Sequence, residues 1–464
     1  MENNEIEVRH SKKNMASFGF GLATMQFLRM AFAAFGFFFY EAELGLNVWL
    51  TSFGYIIFAI WNAVNDPLVG YITDRSFKFT KKWGRRFPWI MIGGVPWVIS
   101  YFLVFTPPEV DPVSGAWILF GWLVFTTCLF DTFNSIWWVN YYALFPDKFR
   151  LPEERRTVSG FMTSIGVIGI TLGGIIPPLI VTYGDLRSYI IQAGFVVIVG
   201  LILLLLSAPG SRDDQVCVDR FLAKWEEGIE RESFIGVLKT SMRQRSFLAY
   251  IAIYTFYQAI TYSIQASIPY VVRFVLKMEA RGQLYLQIGF LIGALISIPL
   301  WMKLARKWDN NKKSLLLASL LMVIFTLPLA FLDSVVLLLI AMIFWGVSLG
   351  GFWILTIICF AEVIDNAAVE TGKREEGVYN GIRQFFARLA IIMQAVSFAI
   401  MHTLTGFVEG AETQSAQAVW GIQVHFGLIP AVFVIIGALI FWKFYDLTPD
   451  KVIANREKLK ELKL

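Results

Sequence analysis

The sequence predicts an all-α integral membrane protein with about twelve helical spans in two sets of six. Three observations carry that expectation. The 464 residues are 56% hydrophobic, with a mean hydropathy of +0.60; an ordinary soluble domain is only about 45–50% apolar. The apolar residues come in runs of about 20 or more, the length that crosses a bilayer. Lys and Arg gather in alternate short loops, the pattern of chains whose basic loops stay in the cytoplasm.

In chain order the spans fall at 15–40, 47–73, 88–106, 115–145, 158–183 and 188–208, then at 247–275, 283–304, 314–332, 335–364, 379–408 and 421–444. Pro and Gly at loop edges mark their boundaries, and tilt accommodates the longer ones. Residues 1–14 form a polar tail without signal-peptide character, so the first span is expected to act as an uncleaved anchor. The loops at 74–87, 146–157, 305–313 and 365–378 are basic, whereas 41–46, 107–114 and 409–420 carry Glu41, Glu43, Glu109, Asp111, Glu409 and Glu412. Lys12 and Lys13 near one end, and Lys451, Arg456, Lys458 and Lys460 near the other, fall on the basic side. Both termini are therefore expected in the cytoplasm, with the protein in the cell membrane.

The longest polar segment, 209–246, contains Trp225, Glu226, Glu227, Glu230, Arg231 and Glu232, and its middle reads as an amphipathic surface helix. The expected organisation is a cytoplasmic tail (1–14), a six-helix bundle (15–208), a central cytoplasmic loop (209–246), a second bundle (247–444) and a cytoplasmic tail (445–464).

The two halves echo each other. Ala143-Leu144-Phe145-Pro146-Asp147 followed by Arg155-Arg156 matches Ala361-Glu362-Val363-Ile364-Asp365 followed by Lys373-Arg374. Lys82-Trp83 and Lys307-Trp308 each follow the second span of a half. Parallel repeats of this kind mark transporters built from two related bundles.

Other classes find little support. Cys128, Cys217 and Cys359 give no disulfide or metal spacing, and His10, His402 and His425 are scattered along the chain. No phosphate-binding loop, dinucleotide fingerprint or metalloprotease helix occurs, so neither an enzyme nor a cofactor is expected. The net charge of +5 is modest, and nucleic acid is not an expected partner. The expected partners are the bilayer, a small solute and a coupling cation, with the chain acting as a monomer.

Charges inside spans are costly and are functional candidates by default. Asn62, Asn65 and Asp66 form one polar stripe on the second span, Gln26 and Arg29 share a face of the first, and Asp131, Asn134 and Trp138 lie along the fourth. If those faces converge they frame a midplane cavity of the kind that suits a sugar, with amides and a carboxylate for hydroxyls and an indole for the ring. Arg29 and Asp131 can equally form a buried structural ion pair. The charged residues at the basic face, Asp74, Arg75, Arg85, Arg86, Asp147, Arg155, Glu362, Asp365 and Arg374, read as a gate, with Arg85 and Arg86 able to pair with Asp74, Asp147 or Glu362.

The pattern Trp61-Asn62-Ala63-Val64-Asn65-Asp66-Pro67, Gly70, Asp74-Arg75, Trp83-Gly84-Arg85-Arg86 and Pro88-Trp89 resembles the glycoside–pentoside–hexuronide:cation symporters of the major facilitator superfamily. Glu153-Glu154-Arg155 and Thr371-Gly372-Lys373-Arg374-Glu375-Glu376-Gly377 extend the resemblance over nearly the whole chain. It implies the major facilitator fold, alternating access and cation-coupled uptake of a sugar, glycoside or hexuronide. Relatives that carry lysophospholipids offer an amphiphile as the alternative cargo, and an uncoupled sugar facilitator is a further one. Asp66 and Asn65 match the family's cation site, Trp353 its sugar-site tryptophan, and Arg388 falls near its lysine on the eleventh helix. Asn62 stands where melibiose-type members have a second aspartate. Gln26 and Trp138 replace the two sugar-clasping aspartates, and Tyr142 replaces a stacking tryptophan. With one carboxylate fewer at the cation site, a proton is favoured over sodium, which needs several oxygen ligands.

Overall fold

The computed structural model describes residues 9–227, 241–373 and 376–462. Among them, twelve helices are long and apolar enough to cross a membrane. They are α1 Lys12–Glu43, α2 Val48–Thr73, α3 Phe87–Val104, α4 Ala116–Lys148, α5 Pro152–Ile180 and α6 Leu186–Ser207, followed by α7 Arg245–Val275, α8 Ala280–Trp308, α9 Asn311–Ala330, α10 Val335–Thr371, α11 Glu376–Thr405 and α12 Ala416–Phe444. The chain divides into two compact units, Met1–Glu230 and Arg231–Leu464.

Local chemistry starts several of these helices. The first N–H groups of a helix have no partner in their own helix, and a short polar side chain satisfies one. Ser11 accepts from the Asn14 N–H, Asn47 from Trp49, Asp185 from Arg187, Asn310 from Lys313 and Ser415 from Ala418. Small residues then let backbones approach, as lipid-solvated helices require. A Cβ added at Gly169 of α5 would lie 2.2 Å from the Ala23 carbonyl oxygen of α1. In the second unit, one added at Gly346 of α10 would lie 2.1 Å from the Phe290 oxygen of α8.

The echo between halves extends to backbone geometry. α1 ends in a π turn, Phe39–Glu43, and α7 in another, Val271–Val275. In both, the chain closes with wide backbone bonds, Leu44 N–H to Phe39 O and Leu46 N–H to Tyr40 O in one, Leu276 N–H to Val271 O and Met278 N–H to Val272 O in the other. The residue between is left-handed each time: Gly45 at φ 76° and Lys277 at φ 53°. A glycine holds that conformation freely and a lysine holds it under strain.

Several boundaries depart from the sequence expectation. α5 starts at Pro152, so Glu153, Glu154 and Arg155 are helical. α10 runs on to Thr371, and Asp365 is on it. Hydropathy marks where lipid begins, whereas backbone hydrogen bonds carry a helix several residues beyond. The C-terminal stretch is no simple tail: α13, Pro449–Leu462, packs on α10 with Asn455 and Leu459 buried, and Asn455 Nδ2 donates to Asn366 Oδ1 at 3.0 Å. In the central segment the described helix, Gln215–Glu227, begins earlier than expected. It rests on protein, with Val218 buried and the Arg85 guanidinium 4.0 Å over the Phe221 ring. Glu230, Arg231 and Glu232 lie outside the described residues.

Candidate functional site

The polar stripe of α2 meets the polar face of α4 inside the first unit. Pro67 lies within α2 and has no N–H, which frees the Ala63 carbonyl next to Asp66. Asn62 is buried and its Nδ2 donates to Asp131 Oδ1. Asn65, also buried, donates from Nδ2 to Asp131 Oδ2 at 3.3 Å. Asp66, half-buried, accepts from Ser135 Oγ at 2.5 Å. One turn toward the helix start, Trp61 Nε1 donates to Thr132 Oγ1 at 2.9 Å. The two asparagines expected to serve Asp66 are thus turned to Asp131, which the sequence placed with the substrate. The reason is geometric: Asn62 and Asn65 are three apart on α2, so both amides reach one carboxylate on the neighbouring helix.

Two oxygens of this cluster stay unsatisfied. Asn62 Oδ1 and Asn134 Oδ1 are buried without a hydrogen-bond donor among the described residues. Asn134 and Ser135 lie one turn beyond Asp131, so α2 and α4 together present two carboxylates, a hydroxyl and two unused amide oxygens. That donor set is all oxygen and suits a proton or a hard monovalent cation. Ser135 and Thr132 were missed in the sequence. Their hydroxyls are common on apolar helices, and only the pairing of α2 with α4 singles them out.

The remaining cavity candidates are distributed. Trp138 and Tyr142 of α4 sit with ring centroids 3.7 Å apart, and Tyr142 is 37% exposed. Arg29 of α1 is exposed and acts electrostatically on the Tyr142 hydroxyl. Gln26, one turn before it, is half-buried. Trp353 on α10 and Arg388 on α11 belong to the second unit, each half-buried there. α11 is interrupted at Arg388, between the helical stretches Glu376–Ala387 and Leu389–Thr405.

At one end of the first unit a charged cluster ties the loops. Asp74 accepts from Arg85 Nη2 at 2.8 Å and from Arg86 Nη2 at 2.6 Å. Arg85 Nη1 also lies 3.8 Å from Asp147, and Arg86 Nη1 donates to Asn140 Oδ1 at 3.0 Å. Asp213, unremarked in the sequence, accepts the backbone N–H groups of Arg86 and Phe87 at 3.0 and 2.8 Å and so caps the start of α3. Burial nonetheless keeps its carboxyl above the usual range, against the pull of those bonds. Gly84, at φ 90°, leaves the room this needs, since a Cβ there would lie 2.4 Å from Asp213 Oδ2.

Other gate candidates are occupied differently. Arg155 donates to the Phe149 carbonyl at 2.6 Å and the Pro146 carbonyl at 3.3 Å, closing the end of α4. Arg75 stacks 4.5 Å over the Tyr71 ring. Glu362 is held within its own unit, accepting from Asn311 Nδ2 at 2.6 Å and the Tyr445 hydroxyl at 2.9 Å. Asp365 is half-buried on α10, and Arg374 lies outside the described residues.

The histidines, apparently scattered, are placed by the fold. His10 Nδ1 lies 3.1 Å from Glu154 Oε2, and its Nε2 lies 2.6 Å from Asp214 Oδ2. An ionised carboxylate only accepts, so both ring nitrogens donate and His10 is an imidazolium. Burial alone would lower its pKa. The bonds to Asp214 and Glu154 outweigh burial and raise it. In the second unit His402 Nε2 and His425 Nε2 are 3.0 Å apart.

The family model for MFS/sugar transport proteins matches residues 17–449. The chain belongs to that family. An uncharacterised symporter from Bacillus subtilis, YnaJ, is 26% identical over 445 residues, covering 91% of this chain and 90% of its own. A sodium-dependent lysophosphatidylcholine symporter 1-A from Danio rerio is 20% identical, over 87% of this chain and 79% of its own. Among solved structures, a D-xylose–proton symporter superposes with a TM-score of 0.59 at 16% identity, covering 93% of this chain and 96% of that one. The last likeness establishes the major facilitator fold expected from the sequence. The relatives include symporters, as expected, and leave the cargo open between sugar and lysolipid.

Proposed function

We propose that this protein is a cation-coupled symporter that carries a small sugar-like solute across the cell membrane by alternating access. The single observation that carries the reading is the α2–α4 cluster, in which Asp66 and Asp131 are held inside spans by Ser135, Asn62 and Asn65. A carboxylate at that depth has a cost that function must justify. Asp66 is the better coupling group, because it is half-buried, whereas Asp131 is buried and clasped by two amides. Binding a cation at Asp66 removes a buried charge and favours the state that takes up solute. Trp138, Tyr142, Gln26 and Arg29 are the solute-contact candidates of the first unit; Trp353 and Arg388 are the candidates within the second. The basic loops and both termini face the cytoplasm in this reading, and the Asp74–Arg85–Arg86 cluster acts as a gate lock.

The coupling cation is a proton in the first instance. A second reading, sodium, is favoured by the two buried amide oxygens without donors, Asn62 Oδ1 and Asn134 Oδ1, since sodium needs several oxygen ligands. The test is uptake by proteoliposomes under separate proton and sodium gradients, with wild type and Asp66→Asn. The variant is expected to lose gradient-driven accumulation while retaining solute exchange. Unchanged accumulation would remove Asp66 from the mechanism.

A further inference from the structure

The repeat breaks at the end of the second unit where α7, α9 and α11 finish. In the first unit the turn after α1 is sealed against the turn between α5 and α6. Glu43, the last residue of the π turn, accepts from the Gly184 N–H at 2.9 Å and from the Tyr189 hydroxyl at 2.8 Å. In the second unit Val275 holds that place and has no carboxylate to offer. The turn between α11 and α12 is also longer, running from Gly406 to Ser415 where the first unit needs only Val181 to Asp185. A cavity of about 720 Å³ opens there, a size that suits a small ligand.

The lining carries charge of both signs from three separate segments. Arg273 and Lys277 come from the end of α7, Asp333 from the turn between α9 and α10, and Glu412 from the turn between α11 and α12. Lys277, Asp333 and Glu412 are solvent-exposed, and among the described residues none of the three makes an ion pair or a side-chain hydrogen bond. Charges merely solvated at loop tips need neither a cavity nor a strained backbone. Lys277 has both, at φ 53° where the first half uses Gly45, and strain of that kind collects at ligand clamps. The wall from the α11–α12 turn is braced in advance. Gln414 Oε1 accepts from the Val408 N–H at 3.0 Å, and its Nε2 donates to the Val408 carbonyl at 2.7 Å. Phe331 and Trp420, 63% and 41% exposed with ring centroids 5.7 Å apart, neighbour the lining residues Asp333 and Val419 in the chain. Exposed aromatic rings at the ends of spans mark the level of lipid headgroups.

We infer that this cavity is a binding site for a dipolar ligand, one that carries an ammonium together with a phosphate or carboxylate. Arg273 and Lys277 take the oxyanion, and Asp333 and Glu412 take the ammonium. A simple anion would meet the two carboxylates and a simple cation the two bases, so a ligand of both signs is the one complemented throughout. None of the solute-contact candidates lines the cavity, and the inference goes beyond the symporter reading without depending on it. The headgroup of a zwitterionic bilayer lipid and a free zwitterion share this chemistry. The neighbouring aromatic rings favour the headgroup.

The experiment uses the full-length protein in detergent and titrates three soluble probes by calorimetry. Glycerophosphoethanolamine carries both charges, glycerol 3-phosphate only the phosphate, and ethanolamine only the ammonium. A second arm extracts the protein from bilayers of equal phosphatidylethanolamine and phosphatidylglycerol and reads the retained lipid by native mass spectrometry. The dipolar species is expected to win in at least one arm, by about tenfold or more. Lys277→Gly and Asp333→Asn should each erase that preference. Lys277→Gly also separates binding from folding. Relief of strain should raise the thermal midpoint of the ligand-free protein while dipolar binding falls, whereas a merely structural lysine would leave binding as it was. Retention of phosphatidylethanolamine that both variants lose assigns the ligand to the bilayer. Preference confined to the soluble probe assigns it to a free zwitterion. No dipolar preference in either arm, or a preference that both variants keep, overturns the site. Neither arm requires transport, so its failure leaves the symporter reading standing, and failed uptake leaves this site standing.

Discussion

The two units solve the problem of polarity inside spans with opposite signs. The first gathers carboxylates: Asp66 and Asp131 face each other's helices, bonded to amides and a hydroxyl. The second gathers a guanidinium among rings at Arg383 and a histidine chain near the other end of α11. In that chain Ser267 has one hydroxyl proton, and its oxygen lies 2.7 Å from the Ser263 carbonyl, which can only accept. The 2.8 Å contact to His425 Nδ1 must then be an N–H donated by the imidazole. His425 Nε2 is left as acceptor, so His402 Nε2 donates across the 3.0 Å gap. The contrast shows that an otherwise repeated backbone carries different polar chemistry in its two halves: carboxylates held by amides in the first, a guanidinium and paired imidazoles in the second.

Removing the acidic side should have the larger effect. Asp131→Ala strands the amide donors of Asn62 and Asn65, at about 1–3 kcal/mol for each unsatisfied buried group. The expected loss is roughly 2–6 kcal/mol, seen as a lower thermal midpoint in detergent, together with lost solute binding. Asp131→Asn keeps one acceptor and should cost stability less than binding. Equal losses in the Asn variant would make Asp131 a structural member of its unit and weaken the contrast.

Gly84→Ala tests the charged end of the first unit. The substitution places a Cβ against Asp213 Oδ2 and forces a side chain into φ 90°. A cost of about 1–3 kcal/mol is expected. Hydrogen exchange should localise the loss to the start of α3, where Asp213 caps Arg86 and Phe87.

A pH titration probes the His10 clamp on the same end. His10 is raised above its ordinary value, so its contribution is complete below about pH 6.5 and is lost as pH rises through the raised value. Burial pushes Asp214 up, but the bond from His10 and the Lys148 charge hold it below the usual range. Its contribution is therefore present above about pH 4 and is lost as pH falls through the lowered value. The clamp should be tightest between about pH 4 and 6.5. Amide protection of residues 11–15, measured by hydrogen exchange, should fall toward alkaline pH in wild type and be flat across neutral pH in His10→Gln.

The smallest effect concerns the repeat itself. Lys277 holds the left-handed position that Gly45 fills in the other half. Lys277→Gly should stabilise the protein by about 0.5–1 kcal/mol, because relief of strain exceeds the added freedom of the unfolded chain. Destabilisation would mean that the lysine side chain earns its strained place.

Much of this was legible in the chain. Twelve spans, the two-half organisation and the stripe Asn62–Asn65–Asp66 follow from run length and helical spacing. Arg85 and Arg86 were expected to meet Asp74, and they do. What could not be read was which helix answers that stripe. Asn65 looks like a neighbour of Asp66 in sequence and bonds instead to Asp131, 66 residues away. His10 looked like a stray residue of a tail, yet Glu154 and Asp214, 144 and 204 positions distant, make it a clamp.

The sequence by itself determined the solvent of each segment, because transfer to lipid depends on composition and length and is local to each run. It also determined the faces of each helix, because 3.6 residues per turn is a property of the backbone. Only the tertiary structure decided the partners. A buried donor or acceptor takes the best group its packing brings within about 3 Å, and that choice is made by helices far apart in the chain, such as α2 with α4 and α7 with α11.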